Sequence, residues 1–514
     1  MITDRLYSLA NSEPDAIALV FETRQYRYRD LADMVSAMAT RLHQAGLRPG
    51  EHVALMCGNR PAFLACWFAL SELGAVCVPL NTGLVGEGFC YSLAKSESRL
   101  LIIEPELLAP RRDTLANMEG APPVLDIDAE MDLPPAESPA RWAGPSRAAD
   151  DVNSILFTSG TTGLPKGVTL PHGAYVAASD DMMQSLELTR ADRILVFLPL
   201  FHANPQMYAV ASVLGCGATL VLLRSFSASR FFDEAIAHGA TGFTYVGTVL
   251  SILDKHYPEP RRDHTLRWCV GGGAPARVWE AMESRFGISV RELYGMTETG
   301  GWVSMNTPQR ARFGSVGYAR EGIEVAVVDE AGAPVATGVK GEIVARAKRQ
   351  HVFFSEYWRN PEATAGTIKQ GWLHTGDRGY LDEDGFLYFD GRQKELIRRG
   401  GEMIAPTEVE QQLLKHQQVR DCAVVGVPDD IMGEEVHAYV VLQGEPDAKA
   451  LQAFLKARLP AYMAPRYFSF VPAIPKTETQ KIMRHLLADL STQVVDLAVV
   501  RCSASAPITQ ERQV

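Results

Sequence analysis

Apolar and polar residues in "YRDLADMVSAMATRLHQAGL" (28–47) are spaced as on one face of a helix, and the short apolar run "HVALMC" after it reads as a buried strand. The same pairing returns in "PAFLACWFALSELGAV" and "CVPLN", so residues 1–150 alternate helices with strands in the manner of parallel-sheet units. A Pro- and Ala-rich stretch, "PPAESPARWAGPSRAADD" (134–151), reads as a surface connector. Beyond it "RILVFLPLF", "GATLVLL", "ATGFTYVGTVLSIL", "LRWCVGGGAP" and "GISVRELYGMTETG" each join β-type residues to a turn or a helix start. Around 310–390 the texture shifts to short alternating strands, "GIEVAVVD", "GEIVAR" and "GFLYFDGR", separated by Gly and Asp turns. After "GRQKELIRRGGEMIAP" (391–406), the segments "EVEQQLLKH", "CAVVGVP", "VHAYVVL", "ALQAFLKARL" and "YFSFVPAIP" describe one small α+β unit. The predicted fold class is α/β, divided into residues 1–391, residues 392–490 and a tail, 491–514, read as a mobile end or a partner contact.

At 514 residues, 46% hydrophobic and 22% charged, the chain has the composition of an ordinary globular enzyme. Its formal charge of −11 argues against a broad nucleic-acid surface, which needs a basic stripe, so any anion site has to be local. The eight cysteines are scattered through apolar runs, without the close pairs of a zinc site, and read as reduced core thiols. Charges at Asp4, Glu13 and Asp15 interrupt the N-terminal stretch, and no apolar run approaches a membrane span of ~18 residues. A cytoplasmic location is the expectation.

The local anion site has a candidate in "ILFTSGTTGLPKGV" (155–168). A phosphate cradle needs backbone freedom, hydroxyl donors and a cation. Gly160, Gly163 and Gly167 provide the first, Thr158, Ser159, Thr161 and Thr162 the second, and Lys166 the third. Pro165 before the lysine and Gly167 after it depart from a Walker loop. Composition alone leaves a polar turn between two strands as the competing reading.

This loop resembles the phosphate signature of the adenylate-forming superfamily, which includes acyl-CoA synthetases, adenylation domains and beetle luciferases. Six further segments resemble family blocks and stand in family order: "PLFHAN" (199–204), "GGGAP" (271–275), "YGMTETG" (294–300), "GWLHTGD" (371–377), "GRQKELIRRGGEMIAP" (391–406) and "PKTETQKIMR" (475–484). In texture the chain is similar to acyl-CoA synthetases of the crotonobetaine/carnitine and medium-chain type. The resemblance implies an acetyl-CoA synthetase-like fold, with a large N-terminal domain of layered α/β subdomains, a β-rich subdomain and a small mobile C-terminal domain. It also implies ATP-dependent activation of a carboxylic acid to an acyl-adenylate, then transfer to coenzyme A. An amide synthetase, a carrier-protein acylating enzyme and a variant limited to one half-reaction are the alternatives.

By the same resemblance, residues Thr158 to Lys166 wrap the β- and γ-phosphates, Thr297 meets the α-phosphate and Glu298 helps hold Mg²⁺. Asp377 and Arg392 look like the ribose pair, and adenine would lie between Gly273, Ala274, Pro275 and Tyr294, with Gly295 and Met296 beside it. Lys481 resembles the lysine bridging carboxylate and α-phosphate, although Gln480 stands where glycine is common in the family. Lys394 matches the hinge, and Arg398 to Glu402, with Gly400 and Gly401, the segment that faces the thiol. Ala347 replaces a usual glycine after "GEIVAR". The acid pocket is expected from His202, Val246, Gly247, Gly272, Gly300 and Trp302. Gly247, in place of a frequent proline, together with Gly300 and Gly301 would leave width for a branched or ring-bearing acid, which Trp302 would take back. The implied partners are ATP, coenzyme A and a small carboxylic acid, with no nucleic acid and no membrane span. A homodimer and an acceptor amine or protein are compatible with the resemblance.

Overall fold

The structure is a computed structural model, and it describes residues 1–137, 139–142, 144–158, 164–392, 396–475, 482–490 and 493–497. Two sheets built on parallel strands form the larger part. In one, parallel strands Ile17–Phe21, Thr219–Leu222, Arg193–Val196, Gly242–Val246, Trp268–Gly272 and Ser289–Tyr294 lie side by side, with short antiparallel strands at both edges. In the other, His52–Met56, Val76–Pro79, Leu100–Ile103, Val124–Asp126 and Val152–Thr158 run parallel, and Lys166–Pro171 closes the edge antiparallel to Val152–Thr158.

In the core that both sheets share lies the helix Pro61–Leu73, apolar as far as Leu70 and buried along its whole length, as expected of a helix in a core rather than on a surface. Its Trp67 is 1% exposed, and the indole N–H donates to Asn153 Oδ1 at 3.0 Å, so the one polar atom of a large side chain is satisfied. Side chains from both sheets meet this helix and Tyr28–Gln44 in one continuous core.

The short alternating segments form an antiparallel sheet of Ile323–Val328, Gly341–Ala347, Trp372–Leu381, Leu387–Arg392 and the two-residue Ile368–Lys369. A further sheet follows, with Ile397–Arg399, Glu402–Ile404, Val419–Asp429, Gly433–Leu442 and Tyr467–Phe470, covered by helices Pro406–Leu413 and Ala448–Lys456 over a separate core. Among the described residues no helix is long and apolar enough to cross a membrane. All seven described cysteines are free thiols.

Two sequence expectations need correcting. The start of the tail is not loose, because Val494–Asp496 adds an antiparallel strand to Tyr467–Phe470, and Asp496 accepts from Arg466 at 2.9 Å. The 134–151 stretch is more than a connector: Arg147 reaches inward to Glu72, whose side chain is 1% exposed, at 2.9 Å, supplying the partner that a buried carboxylate requires.

Candidate functional site

A cavity of about 970 Å³ opens where the C-terminal ends of Gly242–Val246, Trp268–Gly272 and Ser289–Tyr294 converge, the place where open parallel sheets leave a crevice. Its far wall comes from the C-terminal sheet, through Arg398, Gly401, Glu402 and the turn Asp429–Gly433. Functional groups from both parts of the chain therefore share one space.

The phosphate-loop candidate sits at the mouth of a hairpin. Thr158 ends one strand and Lys166 begins the next, paired in register, and both line the cavity. The strands on either side of the segment pair with each other, and its two described ends, Thr158 and Lys166, line the crevice. Ser159, Gly160, Thr161, Thr162 and Gly163 lie outside the described residues. The Lys166 ammonium stands 4.8 Å from the centre of the Tyr357 ring, whose hydroxyl donates to Glu298 Oε1 at 2.7 Å. Thr297 and Glu298 occupy a single 3₁₀ turn directly after Ser289–Tyr294, and the Glu298 residue is 5% exposed.

Asp377, 4% exposed, accepts from the Tyr294 hydroxyl at 2.7 Å, and its strand pairs it with Arg392, whose side chain lies outside the described part. The Tyr294 ring lies over Phe389 at 5.8 Å, and both line the cavity together with Gly273. Gly273 takes φ +89°, a conformation that side chains rarely adopt. Gly273, Pro275, Gly295 and Met296 line the cavity; Ala274 turns its N–H to Glu292 instead.

Glu292 is a member of this site that sequence reasoning missed. The Gly273 N–H donates to its Oε1 at 2.5 Å, the Ala274 N–H to Oε2 at 3.2 Å, and the Tyr245 hydroxyl also donates to Oε2. Burial raises its pKa to about 7 against the lowering effect of those donors. The signal was present as an acid in an apolar strand, two residues before Tyr294.

In the expected acid pocket, His202, Val246, Gly247 and Gly272 line the cavity, together with Phe201, Asn204, Tyr208, Thr248, Ser251 and Gly301. Gly300 and Trp302 do not line it. Trp302 is 0% exposed, with the Arg320 guanidinium 4.1 Å above its ring and Tyr208 against its edge, so it takes no volume from the pocket. A Cβ on Gly300 would lie 2.1 Å from the Val352 carbonyl oxygen, so that glycine admits neighbouring backbone. Gly247 leaves no width for an acid either, because its Cβ position is filled by the Gly273 carbonyl oxygen at 1.8 Å. Ala347 ends its strand opposite Ile323 and faces a second cavity, of about 220 Å³, apart from this site.

On the C-terminal wall, Gly401 has φ +89°, and its Cβ position lies 2.9 Å from Val246 Cγ2. Gly400 turns away from the cavity, with its N–H bonded to the Met432 carbonyl at 2.9 Å. Glu402 reaches across to His202 at 3.0 Å. Gln393, Lys394 and Glu395, and the segment 476–481 with Gln480 and Lys481, lie outside the described residues.

Residues 7–358 match the sequence profile of the AMP-binding enzyme family, and 408–481 that of the AMP-binding enzyme C-terminal domain. The chain belongs to the AMP-binding enzyme family. Crotonobetaine/carnitine–CoA ligases of Salmonella paratyphi C (strain RKS4594) and Salmonella typhi are each 31% identical to this AMP-binding enzyme over 500 residues, covering 93% of it and 96% of the relative. Among solved structures, a double mutant of o-succinylbenzoate CoA synthetase from Bacillus subtilis bound with its product analogue, OSB-NCoA, superposes with a TM-score of 0.86 at 29% identity, covering 96% of this chain and 99% of that one. The same Bacillus enzyme in complex with AMP gives a TM-score of 0.70 at 30% identity, over 95% and 98%. The amide bond synthetase McbA from Marinactinospora thermotolerans gives 0.84 at 29% identity, over 94% and 98%. This AMP-binding enzyme thus follows the product-analogue complex more closely than the AMP complex.

The His202–Glu402 pair carries a pH dependence with a definite sign. Burial pulls His202 down, but the charge and hydrogen bond of Glu402 outweigh it and hold its pKa above the usual value. Burial pushes Glu402 up, and His202 outweighs that in turn, leaving it below its usual value. The His202 contribution is complete below about 6.5 and is lost as pH rises through the elevated pKa, while that of Glu402 is complete above about 4.3 and is lost in acid. Hydrogen exchange in 398–404, corrected for intrinsic rates, is expected to show protection declining as pH rises past neutrality. In a His202→Asn protein that decline should be absent, and an unchanged profile would show that the His202–Glu402 pair does not hold this segment.

Proposed function

We propose that the chain is an ATP-dependent acid–coenzyme A ligase working through an acyl-adenylate. The observation that carries this reading is the convergence of Thr158, Lys166, Glu298, Asp377, Arg398, Gly401 and Glu402 on one cavity spanning both parts of the chain. The match to acid–CoA ligases along nearly the whole chain supports it.

In the first half-reaction the acid's carboxylate oxygen attacks the α-phosphorus of ATP, and pyrophosphate leaves. Both reactants are anions, so charge has to be neutralised where it accumulates. Lys166 and the hydroxyl-rich loop serve the β- and γ-phosphates, Thr297 the α-phosphate, and Asp377 the ribose hydroxyls. The adenine slot lies between the Gly273 turn and Tyr294. We assign Lys481 to the carboxylate–phosphate bridge on the resemblance alone.

A divalent cation suits this donor set. Among the described residues no group of three His, Cys, Asp or Glu could form a metal cage, whereas the Glu298 carboxylate faces the cavity beside the phosphate loop. One hard oxygen ligand completed by phosphate oxygens is the usual arrangement for Mg²⁺. Glu298 would hold the ion, which supplies charge neutralisation for the triphosphate.

In the second half-reaction the thiol sulfur attacks the adenylate carbonyl, AMP leaves with the bonding electron pair, and the thiol proton is released. Gly401 lies against Val246 and Glu402 bonds to His202, so the C-terminal wall touches two of the residues we assign to the acid pocket. We read this arrangement as the one that transfers the acyl group, a reading supported by the higher TM-score against the complex with OSB-NCoA. Lys394 serves as the hinge, near a domain boundary at 391/392.

The test is pyrophosphate release across a panel of betaine-type, aromatic and medium-chain acids, with coenzyme A, amines or a phosphopantetheinylated carrier as acceptor. Release that requires both an acid and ATP, with thioester formed from coenzyme A, is the expected result. Amide formation in preference to thioester would favour the McbA-like alternative, and no acid-dependent release would overturn the reading.

A further inference from the structure

The segment "VFFSEYW" (352–358) belongs to none of the signature blocks, yet the fold ties it to two of them. On one side it runs antiparallel to Lys166–Pro171: the Trp358 N–H donates to the Gly167 carbonyl at 2.7 Å, the Ser355 N–H to the Thr169 carbonyl at 2.9 Å, and the Thr169 N–H to the Glu356 carbonyl at 3.0 Å. On the other side the Phe354 N–H donates to the Glu298 carbonyl at 2.9 Å. Tyr357 thus sits on a backbone strut fastened to both the phosphate-loop strand and the Glu298 turn.

Its side chain repeats that connection with charge. The ring, 5% exposed and braced edge-on by Phe354 at 5.0 Å, lies 4.8 Å from the Lys166 ammonium, within the range of a cation–π contact. The hydroxyl donates to Glu298 Oε1 at 2.7 Å, a charge-assisted bond that fixes the plane of the carboxylate. A phenol is protonated at neutral pH, so the hydroxyl is a donor to the carboxylate.

We propose that Tyr357 is a positioning residue for both charges of the triphosphate site: its hydroxyl aims Glu298 at the divalent cation, and its ring aims Lys166 at the phosphates. Cation and phosphate binding are therefore coupled through one side chain. This rests on the reading of Lys166 and Glu298 given above.

Two substitutions separate the two functions. Tyr357→Phe keeps the ring and removes the donor. Tyr357→Leu removes both. The readout is binding rather than turnover: Mn²⁺ affinity by electron paramagnetic resonance with a non-hydrolysable ATP analogue present, and metal-free affinity for that analogue by calorimetry. For Tyr357→Phe the Mn²⁺ dissociation constant should rise about tenfold, with metal-free nucleotide affinity within about twofold of the parent and an unchanged melting temperature. Tyr357→Leu should show the same Mn²⁺ loss plus about threefold weaker metal-free nucleotide binding. Parental Mn²⁺ affinity in Tyr357→Phe overturns the proposal, as does equal loss of both affinities in that variant. Should Tyr357→Leu fail to fold, the Phe variant decides alone. Glu298→Gln and Lys166→Ala run in parallel: if they too bind Mn²⁺ and nucleotide as the parent does, it is the reading of the site that fails.

Discussion

Gly401→Val is expected to leave adenylate formation within about threefold of the parent while slowing transfer to coenzyme A by about two orders of magnitude. Gly401 holds φ +89°, and its Cβ position already lies 2.9 Å from Val246 Cγ2. A branched side chain there meets backbone strain and a packed neighbour together, at a cost of about 3 kcal/mol. The clash with Val246 falls only on the arrangement in which the Arg398–Glu402 segment is seated against the cavity, whereas the backbone strain is common to both arrangements. Rapid-quench measurement of pyrophosphate and thioester in one reaction separates the two steps. Equal slowing of both would contradict the assignment of this arrangement to acyl transfer.

Glu298→Gln should act on the opposite half. The replacement keeps the shape and an oxygen for the Tyr357 hydroxyl, but removes a negative charge from a residue 5% exposed at the cavity wall. Loss of one group that stabilises charge at the reacting phosphates is worth about 3–4 kcal/mol, so acid-dependent pyrophosphate release should fall by about two to three orders of magnitude. Conversion of supplied acyl-adenylate and coenzyme A to thioester should change by less than about threefold, because no triphosphate takes part. An adenylation rate within tenfold of the parent would remove Glu298 from the mechanism.

The sequence carried the architecture well, because buried strands such as His52–Met56 and Gly242–Val246 are short apolar runs whose limits are marked by turns. Of the polar residues that stand in signature blocks, Thr158, Lys166, Thr297, Glu298 and Asp377 line one cavity. The sequence was weaker on space. Gly247 and Gly300 were taken as width and Trp302 as bulk, yet carbonyl oxygens fill the first two positions and Trp302 is packed beneath Arg320. Residue size is written in a sequence; what occupies the neighbouring volume is set by distant strands. Glu292 and Tyr357 were overlooked for a related reason: each acts by hydrogen bonds to segments far from it in the chain.

The central claim is that the acid becomes an acyl-adenylate before it meets the thiol. Carboxylate labelled with oxygen-18 in both oxygens tests it, followed by mass analysis of every product of a complete reaction with ATP and coenzyme A. One labelled oxygen should appear in AMP and the other in the thioester carbonyl, with pyrophosphate unlabelled. Unlabelled AMP, or label in pyrophosphate or inorganic phosphate, would contradict it.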